Sequence, residues 1–256
     1  MDTVVAGLPL WAILGASAVT LFAGFVKGSL GFAMPLIMIA LLPSFMSAQT
    51  ALAALILPVL ATNLHQSLRQ GIRPAVESGR KFWRIILATM VGIVISAPFV
   101  VVLPQQILFL LLGVAVFGFA LLQLSGWSPD IPPGRRNVIE LATGLIGGLY
   151  GGIAGTWGPP AIVYLLAAKV EKTEMVRVMS VIFAMGAVVL TLAHLRSGVL
   201  NSVTVWLSAA MLVPAGLGMA LGYRAHDVMD QARFRRYTLI LLLLSALNLL
   251  RRGIFG

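Results

Sequence analysis

Lys27 stands inside a long apolar run and is followed by Gly28, Ser29 and Gly31. An ammonium held in hydrocarbon costs a few kcal/mol or more. A lysine there points either to a ligand of opposite sign or to a side chain that snorkels to the interface. A second glycine-rich stretch, Gly155, Thr156, Trp157 and Gly158, is followed by the tandem Pro159 and Pro160. Broken helices leave backbone N–H groups without helical partners, and a helix N-terminus carries about half a positive charge, so such ends favour an anion. In this reading Gly28, Gly31, Gly155 and Gly158 let the backbone approach a ligand, and Ser29 and Thr156 add hydroxyl donors. Trp157 either lines the site or sits in an interfacial aromatic belt. Asn63, with His65 and Gln66, closes one apolar segment, and His194 closes another. Such residues serve as substrate contacts or proton relays, or are polar helix ends near water.

Other chemistries are excluded by composition. Without cysteine the chain has no disulfide, thiolate metal site or cysteine nucleophile. Its 3 histidines lack metal-ligand spacing. Nothing resembles a phosphate-binding loop, and no Ser/His pair falls at usable spacing inside an apolar segment. The expectation is a protein that is not an enzyme and carries no metal or cofactor. Glu171 and Glu174, with Lys169, Lys172 and Arg177, read as a solvated charged cluster, from which Arg177 could reach a vestibule.

The elements that hold these residues are membrane helices. The 256 residues are 59% hydrophobic and 10% charged, with a mean hydropathy of +1.00. A soluble domain carries about 25% charged residues, so this chain cannot cover a water-facing surface. The first nine residues contain no Lys or Arg, which argues for a retained first helix rather than a cleaved signal. A span needs about 20 apolar residues. Residues 48–65, 82–103, 106–124, 174–195, 203–223 and 237–250 are expected as six ordinary spans. Residues 9–43 and 138–168 are longer and interrupted, at 27–31 and 151–160. Each reads as a hairpin or re-entrant pair with arms of roughly 14–18 residues.

The two interruptions match. Gly24, Gly28, Gly31 and Pro35 fall on Gly148, Gly152, Gly155 and Pro159, each 124 residues later. Positive charge then assigns sides. Fourteen Lys and Arg lie in residues 66–84, 125–137, 169–177 and 224–236; Arg196, Arg251 and Arg252 lie opposite them, and Lys27 inside the first interruption completes the 18. The positive-inside rule places the fourteen in the cytoplasm, and matching elements of the two halves then cross in opposite directions. The expected fold is an all-α polytopic membrane protein with an inverted-topology repeat, each half a broken hairpin plus three transmembrane helices. The halves are residues 1–125 and 138–256, joined by a cytoplasmic linker at 126–137. The ligand site is expected where the two breaks meet near the midplane.

The segments Gly24 to Phe32 and Gly147 to Pro160, with the helices after each, resemble the TauE/SafE family of sulfite and organosulfonate exporters across essentially the whole chain. The resemblance implies a multi-pass permease of a bacterial inner membrane that exports sulfite, a sulfoacetate-like organosulfonate or another small sulfur-containing or carboxylate anion. Alternating access would be driven by the membrane potential or a proton gradient. An anion channel is the alternative, although few polar spans are available to line a pore. The expected partners are a small anion and the lipid bilayer, with no nucleic acid. Proton coupling and a homodimer are left open.

Overall fold

The computed structural model describes residues 3–5, 7–126, 130–132, 134–226 and 230–255. The start of the chain and residues 127–129 and 133 of the expected linker lie outside them. A short antiparallel pair, β1 (Thr3–Val5) and β2 (Leu8–Pro9), precedes the helices. These are α1 (Leu10–Leu30), α2 (Met34–Leu41), α3 (Ala48–Leu68), α4 (Ile72–Lys81), α5 (Trp83–Ser96), α6 (Gln105–Ser125), α7 (Arg136–Ala154), α8 (Gly158–Ala167), α9 (Lys172–Ser197), α10 (Thr204–Ala210), α11 (Leu212–Ala225) and α12 (Gln231–Phe255). Among the described residues, 8 helical segments are long and apolar enough to cross a membrane. Leu14, Val94, Val114, Leu192 and Leu244 stand exposed on them. Water would not tolerate so much bare apolar surface, whereas lipid is its natural solvent.

The hairpins differ from the expected arms. Their first arms are full-length, with α1 at 21 residues and α7 at 19, and their second arms are short, with α2 at 8 and α8 at 10. At 1.5 Å per residue the short arms reach about 12–15 Å, roughly half the hydrocarbon core. The breaks are also narrower than expected and lie at residues 31–33 and 155–157. Glycines 24, 28, 148 and 152 do not interrupt their helices. They are packing positions instead, as given below. One element was not expected: α4 lies in the basic stretch between the second and third spans, and its charged and apolar residues fall on opposite faces.

The chain forms two compact units, and each mixes the two halves of the sequence. The first comprises Met1–Val59, Val101–Gly126 and Gly198–Gly256, and the second Leu60–Val100 and Trp127–Ser197. In the first unit α1 packs along α11, α6 along α12, and α2 against both α6 and α12. The α1–α11 contact is built on small residues. A side chain at Gly24 would strike the Ala215 carbonyl, one at Gly28 the Met219 carbonyl, and one at Gly218 or Gly222 the backbone of α1. In the second unit α5 packs along α7 in the same manner. Gly144 lies against the Ile85 carbonyl, Gly148 against Thr89, Gly152 against Ser96, and Gly92 against residues 145–149. Residue numbers rise together across both contacts, so both pairs run parallel. Small residues every fourth position let backbones approach where lipid offers no hydrophobic drive for association.

Pro58 sits inside α3 and cannot donate to the Ala54 carbonyl. Ser208 of α10 fills the gap: its hydroxyl donates to Ala54 O at 3.4 Å and accepts from Leu57 N at 3.0 Å. Within a bilayer that repair matters, because no water reaches an orphaned carbonyl.

Candidate functional site: two matched breaks

In the first unit, α1 ends at Gly31, whose φ of 84° is open to glycine at little cost, and whose N–H caps the Lys27 carbonyl at 2.7 Å. Two residues on, Ala33 takes a left-handed φ of 76°, and α2 starts at Met34 with Pro35 in its first turn and no side-chain cap. In the second unit, α7 ends at Gly155, with φ 68° and its N–H on the Gly151 carbonyl at 2.8 Å. Trp157 precedes α8, which starts at Gly158 with Pro159 in its first turn and again no side-chain cap. Every landmark of the second break lies 124 residues after its counterpart in the first. A helix start without a side-chain cap leaves its first N–H groups to be met by something else.

The side chains around the first break are enclosed. Lys27 is 1% exposed in the last turn of α1, so its ammonium is surrounded by protein and does not snorkel to a surface. Ser29 was expected to offer a hydroxyl to a ligand, but that hydroxyl donates to the Gly222 carbonyl at 3.2 Å and ties α1 to α11. The Ser29 carbonyl in turn lies 2.6 Å from Nδ1 of His226. Gly28 lies against the backbone of α11, and Gly31 makes the turn.

Around the second break, Trp157 is 3% exposed, which places its indole in the protein interior and not in an interfacial belt. Its Nε1–H donates to the Ile182 carbonyl at 3.2 Å, and its ring meets Phe183 edge-on at 6.4 Å. The ring fits because residue 186 of α9 is glycine. Asn63 of α3 donates from Nδ2 to the next carbonyl, Phe183 O, at 3.3 Å. The structure thus brings Asn63, Trp157 and Gly158 together around Phe183, a convergence that no sequence spacing announced. Thr156 is buried beside them, and its hydroxyl makes no hydrogen bond among the described residues. His194, weighed as a proton relay, holds the Gly152 carbonyl at 2.9 Å through Nε2 and Ser197 at 3.1 Å through Nδ1. An apolar groove of about 550 Å³ in the same unit is lined by Leu68, Trp83, Leu87, Met90 and Met185, among others, and only Ser67 and the Trp83 indole carry polar side-chain atoms there. Among the described residues no cluster of His, Asp and Glu could hold a metal ion.

Apolar helices with bare lipid-facing surfaces, broken at two places in the same register, define a multi-pass membrane protein. A family match described as sulfite exporter TauE/SafE spans residues 16–249, and the chain belongs to that family. Comparison with curated proteins and with solved structures gives no match.

Proposed function

We propose that the protein exports a small divalent or monovalent oxyanion, sulfite or an organosulfonate, across a bacterial inner membrane by alternating access. The observation that carries this reading is the paired break, two uncapped helix starts in matched register, in a chain of the sulfite-exporter family. Helix N-termini and enclosed donors suit a compact anion, because they supply positive field without a charge for every contact. On this reading the ammonium of Lys27 at the first break and the hydroxyl of Thr156 at the second are, each within its own unit, the groups to test for contact with the anion. Export is also the direction the membrane potential favours, at about 2.3 kcal/mol per charge per 100 mV.

The test is counterflow. Purified protein in liposomes loaded with unlabelled sulfite should accumulate labelled sulfite from outside, and unlabelled anion on the far side should accelerate the exchange. Conductance with no such acceleration would identify a channel. Repeating the measurement with short organosulfonates and carboxylates ranks the substrates.

A further inference from the structure

Glu140 is the acid inside the α7 span, one turn from its start, and it is 3% exposed. Its Oε1 has no hydrogen-bond partner, and neither does the hydroxyl of the buried Tyr164 on α8. Glu140 and Arg136 are both close enough to Tyr164 to couple with it electrostatically, yet no bond of ordinary geometry reaches its hydroxyl. Two buried, unpartnered oxygens on residues that couple with one another, with a guanidinium coupled to both, make a place for a proton. An ionised carboxylate accepts from Arg136 and Tyr164. A protonated one becomes a donor and releases the guanidinium.

Packing does not explain the pair. At the 124-residue offset Glu140 and Tyr164 correspond to Ala16 and Ala40, both fully buried. The first half fills the equivalent positions with methyl groups, so the fold itself does not require polar groups there. An intramembrane acid kept in only one half of a repeat asks for a function. The groups on the neighbouring elements at this end of α7 are mostly basic or already committed. They are Arg84 on α5, over the Trp83 ring; Lys81 on α4, bound to Glu174 of α9 at 2.7 Å; and Arg177 on α9, whose Nε is itself unpartnered.

We propose that Glu140 binds the proton that drives anion transport, with Arg136 and Tyr164 as the donors that hold its ionised form. This rests on the transporter reading above. Only a proton moves: it adds to the carboxylate from water on one side of the membrane and leaves to water on the other, and the membrane's proton gradient is the co-reactant. Glu140 and Tyr164 lie on the two arms of one hairpin, so ionisation ties α7 to α8 and protonation loosens them. The same arms meet at residues 155–157, so proton and anion act on one element from its two ends.

Two measurements test this. In proteoliposomes an imposed pH gradient should drive net labelled-sulfite transport by the wild type. Glu140→Gln should lose that drive while labelled-for-unlabelled exchange persists, since exchange needs no net proton movement. If Glu140→Gln still responds to the gradient, or loses exchange as well, Glu140 is not the coupling site. Tyr164→Phe should shift the pH profile of net transport without abolishing it. Independently of substrate, infrared titration of the purified protein should show a buried carboxyl band that is absent from Glu140→Gln. An unchanged band refutes the proton site even if sulfite proves to be the wrong anion, whereas a lost band without any sulfite transport faults only the choice of substrate.

Discussion

At Gly31 and Gly155 the two breaks coincide, and at Ala33 and Trp157 they part. Both glycines turn the chain out of a full-length helix with positive φ, and both second arms start three residues later beside a proline. Ala33, however, is held in a left-handed conformation with nothing larger than a methyl group, while Trp157 keeps an ordinary φ of −121° and anchors an indole on α9. Lys27 lies before the first break and Gly151 at its counterpart, whereas Glu140 has only Ala16. Backbone geometry is shared and chemistry is divided: a buried cation serves one hairpin and a buried acid the other. On the function proposed above, the shared backbone would serve alternation while anion and proton are assigned to different hairpins.

The largest expected effect attacks what the halves share. Gly148→Leu would drive a side chain into the Thr89 carbonyl, and Gly218→Leu would do the same to Leu21. Backbone has no rotamer to give way, so each should cost more than the ~1–3 kcal/mol of ordinary overpacking. Size-exclusion chromatography should show loss of monodisperse protein for both, and survival of either breaks the equivalence of the two helix pairs. Next comes the second break alone. Trp157→Ala empties a buried indole and should destabilise by ~3–5 kcal/mol, seen as a lowered melting temperature.

The first break should respond in ligand binding instead. Lys27→Ala should weaken sulfite binding by about 10–100-fold, the loss of one charge-assisted contact worth ~1.5–3 kcal/mol, with little change in expression. Lys27→Arg should fall between, since a wider fork replaces a compact point charge. Isothermal titration reads both, and unaltered affinity would place the ammonium outside the anion site. The smallest effect sharpens the divergence of the third residue. Ala33→Gly relieves a left-handed alanine and should leave melting unchanged or raise stability by up to ~1 kcal/mol, the opposite of the Trp157 result.

The breaks were legible because glycine and proline fix backbone course locally, and register over 124 residues carries through to φ angles. The arm lengths were not legible, because a glycine that interrupts a helix and one that lets a neighbour in have the same sequence signature. Gly28 and Gly152 belong to the second kind, and only the presence of α11 and α5 reveals it. The pairing of α1 with α11 and of α5 with α7 joins segments roughly half the chain or more apart, or across the linker, and no local periodicity encodes it. Asn63 was picked out for its place at a helix end, yet its partner, the Phe183 carbonyl, is 120 residues away. Glu140 did carry a readable signal, a lone acid in an apolar helix, which its neighbours' glycine pattern outshone.

The order in which the chain is made adds a consequence to the interleaving of the compact units. All segments of the second unit have been synthesised once Ser197 leaves the ribosome, while the first unit still waits for Gly198–Gly256. At ribosomal speeds of about 5–20 residues per second, α1 stands for roughly 10–40 s with its glycine face bare before α11 emerges. Although made early, α1 is therefore packed late. During that interval Gly24 and Gly28 offer the kind of small-residue stripe on which foreign helices dimerise.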